Sequence, residues 1–128
     1  MPHSVVISII ESMMFPDLGA LYQRKGLEEL RVDSIRKATT LVKKQPVDFI
    51  VVEFFYAYST NYSGIYKSNI EGLLVSLIKY SPNTKVIVLV KKKEMQFINV
   101  LDAVDYPVHA VLQLPIAPTQ MESLFDIV

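Results

Sequence analysis

Four nearly continuous apolar runs, separated by segments of helical spacing, limit this chain to few architectures. Phe49-Ile50-Val51-Val52 is the clearest of them, entered through Asp48 and left through Glu53. A strand with one wet face alternates apolar and polar residues, whereas a strand buried on both faces reads as continuous hydrocarbon. Val5–Ile10, Val86–Val90 and Ala110–Leu114 follow the second pattern, and Leu27–Val32 is a weaker, more polar strand. Between them lie helical periodicities. Leu18, Leu21 and Tyr22 recur at i, i+3, i+4 after Pro16-Asp17, and Gly26 marks the stop. Ser34 is placed to cap a helix carrying Ile35, Ala38, Leu41 and Val42, which must end before Gln45-Pro46. Ile70, Leu73, Leu74, Leu77 and Ile78 predict a third helix, Met95, Ile98, Leu101 and Ala103 a fourth, and Met121, Leu124 and Phe125 a last.

Strands alternating with helices specify an α/β domain in which a parallel sheet is covered on both faces. Right-handed crossovers leave few topologies, and the expected one is a flavodoxin-like three-layer sandwich with strand order 2-1-3-4-5. The 128 residues make one domain spanning 1–128, and no repeat or linker divides it. Ligands in such sheets bind beyond the carboxyl ends of the strands, so the loops after Ile10, Val52, Val90 and Leu114 are the places for chemistry.

Charge and composition remove several function classes. Thirteen basic and thirteen acidic residues balance, which argues against a nucleic-acid binder held by phosphate neutralisation. Zero cysteines exclude thiolate chemistry and Cys-ligated metals, and His3 and His109 are too few for a histidine metal centre. No run approaches the ~18 apolar residues of a membrane span. The segment before Val5 has no basic run, so neither a signal peptide nor a membrane partner is expected, and the expected location is cytoplasmic.

The segment Pro46-Val47-Asp48-Phe49-Ile50-Val51-Val52-Glu53, within this order of elements, resembles the receiver domain of two-component response regulators. The resemblance implies a phosphoacceptor aspartate where Glu53 stands. It implies an acidic pair holding Mg²⁺ at Glu11 and Ser12, a Thr or Ser at Val90, and a lysine at Leu114, before the retained Pro115. Each departure has a chemical cost. Glutamate carries its carboxylate about 1.5 Å further than aspartate, and a misplacement of ~1 Å can cost about a hundredfold in rate. Ser12 removes a metal-site charge, Val90 a hydroxyl and Leu114 a cation. The expected domain is therefore a pseudo-receiver without aspartyl phosphorylation and without a catalytic residue. Glu11 and Glu53 read first as solvated carboxylates at strand ends. The alternatives are a weak Mg²⁺ site at Glu11/Glu53, or Glu53 as a built-in mimic of the charged state.

After Glu53 the chain enters an aromatic loop, 54–68, where a receiver has a short turn. It holds Phe54, Phe55, Tyr56, Tyr58, Tyr62 and Tyr66, six of the chain's thirteen aromatics. Tyrosines offer large amphipathic contact area at low entropic cost. Phe55, Tyr56, Tyr58, Tyr62 and Tyr66 thus form a candidate recognition surface or a lid. Met13 and Met14 are expected in the core, and His109 is expected to be partly buried. The resemblance also implies a dimer face on the last two helices, comprising Phe97, Leu101, Tyr106, Met121 and Phe125. The leading functional expectation is a non-catalytic signalling module acting through a protein partner or output domain, as a homodimer. The runner-up is a sensor binding a planar aromatic ligand, flavin or quinone, under loop 54–68.

Overall fold

The computed structural model of the chain describes residues 4–56 and 67–126. Five strands form one parallel sheet in the order β2-β1-β3-β4-β5, the topology expected from the sequence. The strands are β1 (Ser4–Ile9), β2 (Leu27–Val32), β3 (Phe49–Glu53), β4 (Lys85–Lys91) and β5 (Ala110–Leu114). Helices α1 (Gly19–Arg24), α2 (Ile35–Lys44) and α3 (Glu71–Tyr80) connect the first four strands. No helix among the described residues is long and apolar enough to cross a membrane.

Local signals explain the helix ends. Ser34 accepts the Lys37 N–H at 3.2 Å, satisfying an otherwise orphaned donor at the start of α2. At the end of α1, Gly26 adopts φ +70°, a left-handed turn that a side chain would strain. The two final helical segments, Lys92–Ala103 and Pro118–Phe125, are 3₁₀ rather than α. Met95, Ile98 and Leu101 are spaced by three, as are Met121 and Leu124. Three residues per turn puts such residues on one ridge, so the apolar spacing suits the tighter helix.

Because successive strand residues point to opposite faces, the continuous apolar runs feed two separate core layers. Ile7, Ile9, Ile50, Val52, Val86 and Val88 pack against Ala38 and Val42 of α2 and Leu73, Leu74 and Leu77 of α3. Val6, Phe49, Val51, Ile87 and Leu89 pack against Leu18, Leu21 and Tyr22 on one side and Met121 and Phe125 on the other. The central strands β3 and β4 are dry on both faces, whereas β2, at the edge, exposes Glu28 and Arg31.

This packing overturns the expected dimer face. Leu101, Tyr106, Met121 and Phe125 are 5%, 7%, 0% and 1% exposed, and each belongs to the core; Phe97 alone is half-buried. Their apolar spacing serves the sheet and not a second subunit. Met13 and Met14 are corrected in the other direction. Met13 is fully exposed and Met14 is 45% exposed, on the turn that follows β1. His109 is also exposed, with Nε2 3.1 Å from the Leu124 carbonyl oxygen.

Candidate functional site

The carboxyl ends of β1, β3, β4 and β5 bring the expected residues to one rim. Ser8–Val51 and Ile9–Val52 register sets the β1 terminus beside β3, so Glu11 and Ser12 reach Glu53. The register Glu53–Leu89 places Val90 one step beyond on β4, and Lys91 pairs with Leu114 of β5.

Glu53 is the centre of this rim and is not solvated, contrary to expectation. It is 0% exposed. Ser12 Oγ donates to Glu53 Oε1 at 2.5 Å, and the Ser12 oxygen accepts the Met14 N–H at 3.2 Å. The backbone around Glu53 is held by Asn69. Its Nδ2 donates to the Glu53 carbonyl at 2.7 Å, and its Oδ1 accepts the Phe55 N–H at 2.7 Å.

Two carboxylate oxygens on this rim, Glu53 Oε2 and Glu11 Oε1, are buried without a hydrogen-bond partner among the described residues. Burial raises the Glu11 pKa above its usual value, and the Glu53 charge pushes it further; a bond from Asn69 opposes both, and Asp33 adds a final small push upward. A negative group beside a buried negative group favours keeping a proton. Lys91 Nζ lies 5.5 Å from the centroid of the Phe55 ring, and the ion pairs among the described residues join other groups, such as Lys37 with Asp33.

Val90 is 0% exposed and packs among Ile9, Val52 and Val88, and Leu114 is 3% exposed in the opposite layer. Where a hydroxyl and a cation would face a phosphoryl group, the chain has hydrocarbon. The Leu114-Pro115 bond is cis. Among the described residues no three carboxylate or histidine groups converge to hold a metal, and the Ser12 proton is directed at Glu53.

Only the ends of the aromatic loop are described; Tyr58, Tyr62 and Tyr66 lie outside the described residues. Phe54 is a core residue at 0% exposure. Tyr56 bridges to Ser68 and stacks on Phe97, with centroids 3.9 Å apart and planes 10° apart. Its N–H donates to Glu94 Oε2 at 3.3 Å, while Glu94 Oε1 is buried and unpartnered. The returning strand of the loop is fixed by residues the sequence reading missed. Glu71 is 2% exposed and accepts the N–H groups of Lys67 at 2.7 Å and Ser68 at 2.8 Å, together with the Ser68 hydroxyl. The signal was available as Ser68-x-x-Glu71, the spacing of a capping box ahead of an apolar helix. Asn69 had no such signal, because its partners are distant in sequence.

No family model matches the chain, and no curated protein matches it in sequence. Solved structures do match in fold. A response regulator from Thermotoga maritima is 18% identical with a TM-score of 0.66, over 95% of this chain and 93% of that one. A response regulator from Burkholderia pseudomallei, solved with a phosphorylated aspartic acid and a calcium ion, is 16% identical with a TM-score of 0.61, over 96% and 66%. A structure described as a novel family of redox sensors in the streptococci evolved from two-component response regulators is 10% identical with a TM-score of 0.69, over 95% and 51%. The chain has the receiver fold. Its neighbours in structure are response-regulator receiver domains covering about 95% of its length.

Proposed function

We propose that this chain is a signalling or regulatory module of receiver fold that acts through contact with another protein and is not switched by aspartyl phosphorylation. The observation that carries the reading is Glu53. The carboxylate at the phosphoacceptor position is fully buried and accepts the Ser12 hydroxyl at 2.5 Å, so it is not exposed to a phosphodonor. Val90 and Leu114 support the same reading, since neither can bond a phosphoryl oxygen. A fold shared with response-regulator receiver domains supports a regulatory role. A homodimer, if it forms, uses residues other than the buried Leu101, Tyr106, Met121 and Phe125.

The planar-ligand reading is the second choice. A flavin or quinone beneath loop 54–68 would have to displace rings the protein already packs, Phe54 in the core and Tyr56 on Phe97. The streptococcal structure named for redox sensing shares the fold at 10% identity, and this chain has no cysteine for thiol redox chemistry.

The test is incubation with acetyl phosphate, or beryllofluoride, and Mg²⁺. Intact mass spectrometry is expected to show no added phosphate, and amide spectra no shift at Glu53. A phosphorylated species, or beryllofluoride-dependent shifts at Glu11, Ser12 and Glu53, would refute the reading.

A further inference from the structure

The two helical layers of the sheet neutralise their surface charge differently. Where α1 meets the Pro118–Phe125 segment, exposed cations are paired within the chain, Arg24 with Glu122 at 3.4 Å and Lys25 with Asp126 at 2.6 Å. On the other layer α2 carries Arg36, Lys37, Lys43 and Lys44 and no acid, and among the described residues only Lys37 is paired, with Asp33 at 2.8 Å. The one acid of α3, Glu71, is buried and spends both oxygens on the Lys67 and Ser68 N–H groups. We propose that the outer surface of α2 and α3 docks an acidic segment of a partner protein that also carries apolar side chains. That partner chemistry rests on the proposed mode of action, contact with another protein.

Apolar exposure and unpaired charge meet on that surface. Val75, Ile78 and Tyr80 are 43%, 47% and 41% exposed, so one helix leaves three large apolar side chains in water. The sheet does not need them, since Leu73, Leu74 and Leu77 of the same helix fill the core beneath. Val75 stands three residues from Ile78 and four from Lys79, spacings that make them neighbours on a helix. The ammonium groups of Lys43 and Lys79 lie 4.8 and 5.1 Å from the centroid of the Tyr80 ring, which thus gathers one cation from each helix. The patch is continuous from Val75 on α3 to Lys43 on α2.

Lys43, its neighbour Lys44, and Lys79 make no ion pair among the described residues. The carboxyl ends of α2 and α3 each offset about half a charge, which leaves an excess of about two positive charges from the three lysines. Carboxylates on a docked segment satisfy that excess, and its apolar residues cover Val75 and Ile78. Anionic lipid and nucleic acid fit less well. Basic clusters that hold such lipid number roughly four to eight Lys and Arg, whereas three unpaired lysines adjoin the apolar residues here. Aliphatic Val75 and Ile78 would gain nothing against a phosphodiester backbone.

The experiment pans a random phage-displayed peptide library against the immobilised full chain, then titrates ¹⁵N-labelled protein with a synthetic peptide from the enriched pool. Enrichment of Asp and Glu beside apolar residues is expected, with saturable amide shifts at Val75, Ile78, Lys79 and Tyr80. Lys43→Glu combined with Lys79→Glu should weaken that peptide about tenfold or more, as loss of charge-assisted contacts requires. Lys43→Gln with Lys79→Gln should act in the same direction, and Ile78→Ser should also weaken binding. Lys92→Glu, at an exposed lysine on the other end of the sheet, should leave it unchanged. An empty selection, a consensus without acids, or undiminished affinity in a folded double variant would overturn the surface. Shifts at these residues with a DNA duplex or phosphatidylserine vesicles but not with the peptide would overturn it too, as would self-association abolished by Ile78→Ser. Peptides that bind elsewhere on the chain would overturn this surface and leave action through protein contact standing; a phosphate added at Glu53, measured independently, refutes the proposed mode of action itself.

Discussion

The two ends of this sheet are closed by different physics. At the amino end, Phe125 packs edge-on against Tyr22 at 5.3 Å and Phe49 at 5.1 Å, so aromatic hydrocarbon seals the layer. At the carboxyl end, closure rests on polar bonds from Ser12 and Asn69 to Glu53 and Phe55, around carboxylate oxygens that have no partner. The amino end loses stability only when packing is lost. The carboxyl end depends on protons as well, because a buried acid's protonation follows the solution.

Variants can break that contrast at either end. The largest effect is expected at Phe125. Its truncation to alanine should cost about 3–5 kcal/mol, read by urea denaturation, with the loss independent of pH and of protein concentration. A concentration-dependent loss would restore Phe125 to a subunit interface. At the other end, Asn69→Ala removes the bonds that join β3 to the start of α3 and strands two buried backbone groups. About 1–3 kcal/mol is expected, with faster amide exchange at Phe55. Tyr56→Ala should cost the ring stack on Phe97, about 0.5–1.5 kcal/mol beyond the area lost.

The smallest and most discriminating change is Glu11→Gln. A carboxyl whose folded pKa is raised contributes stability that is full below its unfolded value, 4.5, and is lost as pH rises through the folded value. Wild-type Tm should therefore fall over that window. Glu11→Gln should flatten the slope, and Glu53→Gln should reduce it by removing the second cause of the shift. A Tm that rises over the same window, or an unchanged slope in Glu11→Gln, would show that Glu11 does not hold its proton more tightly when folded.

How much of this was legible depends on the range of the forces involved. Strand identity and order were readable because residues such as Ile50, Val51 and Val52 must be buried on both faces, and that requirement is written in consecutive positions. The place of Glu53 at the end of β3 was readable for the same reason. Its burial was not, since it depends on Ser12, 41 residues away, and Asn69, 16 residues away. The supposed dimer face failed because it was assigned by analogy. Leu101, Tyr106, Met121 and Phe125 carry the spacing of core residues, and their own periodicity argued for the sheet. The exposure of Met13 was hidden for the opposite reason, since an apolar residue in a short turn has no periodicity to consult.

Ser12 has one proton and spends it on Glu53, while its oxygen restrains the Met14 amide. The β1–α1 turn and the end of β3 are thereby geared to a single hydroxyl. Anything that claimed the Glu53 oxygen would evict that proton, and the disturbance would surface at once in the methionine turn outside. A group too deep for a visitor to touch is wired to a place where one could feel it.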